Sequence, residues 1–79
     1  MTHLNQLRMP KHGFDSVPEA IGNLEQLEFL DLSGNNIERL PDSIAQLTHL
    51  KTLKLKDNPL QPGELERLEA LLPGCKIKV

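Results

Sequence analysis

The sequence predicts an α/β solenoid, a right-handed coil of strand–turn–helix units. A short parallel sheet lines its concave face, and a helix with one edge strand caps its C-terminal end. Three observations predict it. Apolar positions recur at a constant interval of 23 residues. Each interval holds a stretch of strict apolar–polar alternation followed by turn-forming residues. The last residues abandon the interval and take up a helical apolar spacing instead.

The repeat is visible by sliding the chain along itself. Leu4 maps to Leu27 and Leu50, Leu7 to Leu30 and Leu53, Met9 to Leu32 and Leu55, and Phe14 to Ile37 and Leu60. Val17 maps to Leu40, Pro18 to Pro41, Ile21 to Ile44 and Leu24 to Leu47, while Asn35 maps to Asn58 and, one unit earlier, to His12. A period of this length marks a stacked array in which no unit buries its apolar side alone. One domain over 1–79 is expected, with units at about 4–26, 27–49 and 50–61 and a cap over 62–79.

Within a unit, Leu27-Glu28-Phe29-Leu30-Asp31-Leu32 and Leu50-Lys51-Thr52-Leu53-Lys54-Leu55 end in the two-residue period of a half-buried strand. Ser33-Gly34-Asn35-Asn36 and Lys56-Asp57-Asn58-Pro59 then read as turns. In Leu40-Pro41-Asp42-Ser43-Ile44-Ala45-Gln46-Leu47, the apolar residues lie at helical spacing. Pro41 suits a first helical position, and Asp42 suits the positive end of a short helix. Val17 to Leu24 repeats that design.

These residues carry a family resemblance. Leu27-x-x-Leu30-x-Leu32-x-x-Asn35-x-Ile37 and Leu50-x-x-Leu53-x-Leu55-x-x-Asn58-x-Leu60 resemble the leucine-rich repeat signature, and Leu40-Pro41-x-x-Ile44-x-x-Leu47 is similar to its 23-residue variety. The resemblance covers residues 4 to 60; the first unit departs from it at Met9 and at His12. It implies a solenoid that binds proteins on the concave face of its sheet. Apart from any family, an Asn on a tight inner turn can bond to backbone groups that the turn leaves unpaired. Asn35 and Asn58 are therefore expected to be buried, satisfied and structural, the rungs of a ladder between turns.

At the C-terminal end, Leu65, Leu68 and Leu72, with Leu71 beside them, form an apolar helix face, and Glu64 and Glu66 suit the first turn. Pro73-Gly74 stops the helix. Lys76-Ile77-Lys78-Val79 reads as one more strand, blunted by lysine at the edge. At the other end, Pro10 belongs on an edge strand because it cannot donate to a ladder. Two readings stay open there: a complete minimal protein, or the end of a longer array. An exposed leucine-lined edge also opens the way to self-association through the N-terminal edge strand.

Composition narrows the function. The charge is −2 and the only aromatic residues are Phe14 and Phe29, which speaks against nucleic acid as a partner. No apolar run approaches a membrane span. The single cysteine, Cys75, rules out an intrachain disulfide; with no leader pattern at Met1-Thr2-His3-Leu4, a cytoplasmic setting is expected. His3, His12 and His49 are scattered, Ser16, Ser33 and Ser43 have no partnered His, and no metal spacing or phosphate loop is present. No enzyme and no cofactor are expected. Cys75 reads as an ordinary small residue and His12 as a terminal-turn substitute for Asn.

The expected partner is another protein. Outward positions between the core leucines fall into rows: Gln6, Phe29 and Thr52 with Lys76 beside them; Arg8, Asp31, Lys54 and Lys78; and Pro10, Ser33 and Lys56. The candidate contact residues are Gln6, Arg8, Phe29, Asp31, Thr52, Lys54, Lys56 and Lys78. Phe29 reads either as a scattered surface hydrophobe or as an anchor. The lysine cluster reads either as a solvated charge row with Asp31 or as a site for an acidic partner. A face of three turns is small, so weak binding is expected. The alternative function is a structural or scaffold piece with no partner of its own, such as the end of a longer array or an engineered minimal repeat protein.

Overall fold

The computed structural model describes residues 5–79; the expectations placed on Met1, Thr2, His3 and Leu4 lie outside the described residues. Three-residue strands form at Gln6–Arg8 (β1), Phe29–Asp31 (β2), Thr52–Lys54 (β3) and Lys76–Lys78 (β4). They pair in parallel, in chain order, as one four-stranded sheet. The register is the one the repeat dictates: Leu7 faces Leu30, Leu30 faces Leu53, and Leu53 faces Ile77. Backbone pairing runs past the strand ends. Met9 and Lys11 donate to the Asp31 and Ser33 carbonyls, and Leu32 and Gly34 donate to those of Lys54 and Lys56. Because residues 9 and 11 spend their amides on β2, residue 10 faces the open edge, where proline sacrifices no ladder bond.

Behind the sheet lies an aliphatic core. Leu27, Leu30, Leu32, Ile37, Leu40, Ile44, Leu47, Leu53, Leu55 and Leu68 are completely enclosed. Each such side chain contributes about 1.5–3 kcal/mol by leaving water, which is how a chain with almost no aromatic residues holds together.

The segments that return the chain from one strand to the next are short helices, as expected. Both are 3-10 helices, Glu19–Asn23 and Asp42–Gln46. Pro18 and Pro41 sit one residue before the helix rather than at its first position, in extended backbone with ψ of 154° and 156°. Their carbonyls accept the first helical bonds, from the amides of Ile21 and Ile44. At three residues per turn, Ile21 lines up with Leu24 and Ile44 with Leu47, so each pair turns toward the core together. The two 3-10 helices stack closely. Ser43 Oγ donates to the Glu19 carbonyl at 2.8 Å, and a Cβ on Gly22 would lie 2.7 Å from the Ser43 carbonyl oxygen. Only hydrogen fits there.

The cap helix, Glu64–Leu71 (α1), also departs from expectation. Leu68 and Leu72 are buried as expected, Leu72 from just beyond the helix end, but Leu65 stays outside the core cluster. Its place on the buried face goes to Glu64, which is 5% exposed. The Glu64 carboxylate accepts the Leu40 amide at 2.9 Å and pairs with Arg67 at 2.9 Å. Arg67 in turn donates to the Leu40 carbonyl and to Asp42. Together the pair holds both backbone groups of Leu40 and fastens the cap to the second unit. A charge on this face is affordable only because every polar contact is met.

Candidate protein-binding face

Alternation along each strand sends Leu30 and Leu53 into the core and their neighbours outward. The sheet register then brings the candidate residues together. Gln6, Phe29, Thr52 and Lys76 make one row across the strands, and Arg8, Asp31, Lys54 and Lys78 make the next. Lys56 lies two residues beyond Lys54, past the end of β3, in the row of Ser33.

Phe29 is half-buried rather than freely exposed. The Arg8 guanidinium lies over its ring, 4.9 Å from the centroid, and Lys54 Nζ approaches the ring at 6.0 Å. Two cations from the neighbouring row, one on each flanking strand, thus hold the aromatic side chain, each contact contributing about 0.5–1 kcal/mol at an exposed site. The expected Arg8–Asp31–Lys54 charge row exists as a register. As an ion-pair chain it does not form, because Asp31 turns to Ser33, accepting from the amide at 3.1 Å and from the hydroxyl at 2.7 Å. Burial pushes the Asp31 carboxyl up. The Ser33 hydrogen bonds and the nearby positive charges of Lys54 and Arg8 outweigh that and hold it below its usual value. The Asp31-x-Ser33 spacing that makes this closed turn was the available signal in the sequence for the tie.

The Asn ladder runs behind the upper edge of the face. Asn35 Oδ1 accepts from the His12 and Phe14 amides at 2.8 and 3.2 Å, and its Nδ2 donates to the Met9 and Leu32 carbonyls. Asn58 repeats the arrangement one turn later, accepting from Ile37 and donating to Leu32 and Leu55. Both are satisfied. Asn35 is buried, at 4% exposure, but Asn58 is only half-buried, because it forms the last rung and the cap does not cover it with another turn. His12, in the first turn, points outward, bonds to the Pro10 carbonyl through Nδ1 and stacks on Phe14. The residue before each rung takes positive φ, 72° at Gly34 and 61° at Asp57, as does Lys11, before His12 at the equivalent position of the first turn, at 58°.

Two further features flank the face. At the β1 end, a depression of about 240 Å³ is lined by apolar side chains, among them Met9, Phe14, Ile21, Leu24 and Leu32. At the lower rim, a groove of about 530 Å³ runs between the turn at His49 and the cap loop holding Pro73 and Cys75. Burial pushes the Cys75 thiol up, away from the reactive thiolate. Among the described residues, no group of three or more His, Cys, Asp or Glu side chains is placed to hold a metal ion.

A coil of parallel strands returned by 3-10 helices, with an Asn rung per turn, defines a class, the leucine-rich repeat solenoid. The chain belongs to that family: a family model described as a leucine-rich repeat region matches residues 1–76. It is similar to TMV resistance protein N of Nicotiana glutinosa, 61% identical over 66% of this chain and 5% of that protein. It is also similar to disease resistance-like protein DSC1 of Arabidopsis thaliana, 39% identical over 87% of this chain and 6% of that protein. A solved leucine-rich repeat protein of Leptospira interrogans superposes with a TM-score of 0.95 and 37% identity, over 99% of this chain and 20% of that one. The chain therefore spans only a small part of each of these relatives.

Proposed function

We propose that the chain binds another protein weakly through the outer face of its sheet. The observation that supports this most directly is Phe29, an aromatic side chain on an outward strand position, held in place by Arg8 and Lys54. Aromatic and arginine side chains are the kinds of anchor that carry most of the binding energy in protein interfaces. Weakness follows from size, since a stable interface takes about 800 Å² per partner and this face has four strands of three residues. The proposal includes no enzymatic step, no cofactor, no nucleic acid and no membrane contact, and it sets the chain in the cytoplasm, where its single thiol stays reduced. A photo-crosslinking residue at Thr52 should capture protein partners, and one at Glu66, on the outer side of α1, should not. Capture from Glu66 alone would move the binding surface off the sheet.

The apolar depression under β1 supports a second reading, a scaffold piece whose N-terminal edge takes a further turn or a second copy of the chain. Sedimentation equilibrium separates the two. A mass that rises with concentration in the parent chain, and not in a Phe14→Lys variant, would favour the second.

A further inference from the structure

The lysines of the sheet face gather where, among the described residues, none of them forms an ion pair within the chain. Of the nine basic residues in the chain, Lys54, Lys56, Lys76 and Lys78 gather on the last two strands and the turn after β3, although the chain as a whole carries a net charge of −2. Lys54 and Lys78 face each other directly in the register. Like charges directly opposite one another destabilise a sheet. Among the described residues, no carboxylate comes within 4 Å of any of the four, whereas Lys51, off the face, reaches Glu28 at 3.7 Å, and Arg67 reaches both Asp42 and Glu64. The nearest acid on the face, Asp31, is committed to Ser33. Beside this cationic corner stands the half-buried ring of Phe29, an apolar spot next to the charge.

We infer that the site takes an acidic, extended protein segment that lays carboxylates along Lys54, Lys56, Lys76 and Lys78 and one apolar side chain against Phe29. This inference rests on the sheet face being the binding surface and adds the chemistry of the partner. The dimensions agree. Phe29 on β2 and the lysines of β3 and β4 occupy three strands about 4.8 Å apart, a span of about 10 Å, which an extended segment crosses in about three residues at about 3.3 Å each. Alternate residues of such a segment point to one side, so an apolar side chain over Phe29 on β2 is followed two residues on by an acidic one between the lysines of β3 and β4, with further acids of the segment beyond it. A polynucleotide fits less well, since the face carries a single aromatic ring and no series of rings on which successive bases could stack.

The test is fluorescence anisotropy with three labelled probes against the intact chain: a glutamate octapeptide with one central leucine, its glutamine counterpart, and a thymidine oligonucleotide of equal length. The glutamate peptide should saturate and the other two should bind about tenfold more weakly or not at all, with the difference shrinking as salt is raised. A Lys54→Glu/Lys78→Glu double variant should weaken the glutamate peptide about tenfold, and Lys51→Glu, which lies off the face, should leave it unchanged. The milder Lys54→Gln/Lys78→Gln pair should show the same direction if the charge reversal disturbs folding. Equal binding of the glutamate and glutamine peptides would overturn the inference, as would tighter binding of the oligonucleotide or an unaffected double variant. If the glutamine peptide binds and Phe29→Ala abolishes it, the acidic assignment fails while the sheet face remains a protein-binding surface. Crosslinks from Glu66 alone remove both.

Discussion

The Glu64 carboxylate accepts the backbone amide of Leu40 at 2.9 Å, from a residue 24 positions further along the chain. Glu64 thereby does for the second unit what a following turn of the coil would otherwise do, and Arg67 completes the grip by donating to the carbonyl of the same residue. The end of the core is therefore closed by an ion pair holding backbone as well as by leucines.

That grip makes Glu64 the most sensitive polar position in the cap. Glu64→Ala should lower stability by about 2–3 kcal/mol, since a buried amide loses its acceptor and Arg67 loses the buried one of its two charged partners. Glu66→Ala, on the exposed side of the same helix, should change stability by less than about 0.5 kcal/mol. Urea unfolding midpoints of the two variants provide the comparison, and equal losses would show that the contact does not act as described.

The two rungs of the ladder should differ in strength. Asn35→Leu should cost about 1–3 kcal/mol, because two amides and two carbonyls of neighbouring turns lose a buried partner. Asn58→Leu should cost less, since water reaches the half-buried last rung and replaces part of what is lost. Urea melts that ranked Asn58 above Asn35 would contradict the assignment.

Positive φ before each rung offers a way to stabilise the chain. Lys11 and Asp57 carry side chains in a backbone region that costs an L-residue about 1–2 kcal/mol, although aspartate tolerates it better than lysine. Replacing Lys11 with Gly should raise stability by about 0.5–1 kcal/mol after the extra freedom of glycine in the unfolded chain is counted. Asp57→Gly should gain less, and Gly34→Ala should lose about 1 kcal/mol. Thermal denaturation of the three variants checks the order.

Asp31 should give the face an acid limb. Its carboxyl titrates lower in the folded chain than in the unfolded one, so the unfolded state takes up the proton first as pH falls. The stability it supplies is complete above the unfolded value of about 3.9 and is lost as pH drops through the lower folded value. In Asp31→Asn this contribution should be absent, so the urea midpoints of variant and parent should converge on acidification from pH 6 to 3. A gap that widened toward low pH would reverse the sign of the argument.

Much of this was legible in the sequence, and the reasons are physical. Strand positions and register were readable because a constant interval forces Leu7, Leu30 and Leu53 into one line, while in the cap, which leaves that interval, the alternation of Ile77 and Val79 with Lys76 and Lys78 marked the last strand. Asn35 and Asn58 could be placed as rungs because few other side chains both donate and accept on a tight turn. The helix type was not readable, since spacings of three and four residues coexist in Leu40, Ile44 and Leu47, and only packing chooses between them. Nor was the burial of Glu64, whose position near a helix start already had a sufficient explanation in the dipole. On the face, the rows were foreseen, but Asp31 was expected to serve Arg8 and Lys54; a hydroxyl two residues away is nearer than a flexible cation on the next strand and prevailed.

The Asn contacts have a direction. Asn35 reaches back to residues 9, 12 and 14, and Asn58 reaches back to residues 32 and 37, so every rung secures the turn before it. Fraying from the front would release Asn35 from its outer partners while the bonds of Asn58 stay whole. Opening from the rear must first undo a helix, an ion pair and an edge strand. Among the described residues the side-chain ties thus run one way, like stitches each caught by the next: amide exchange should be faster at Met9 and Lys11 than at Leu32 and Leu55.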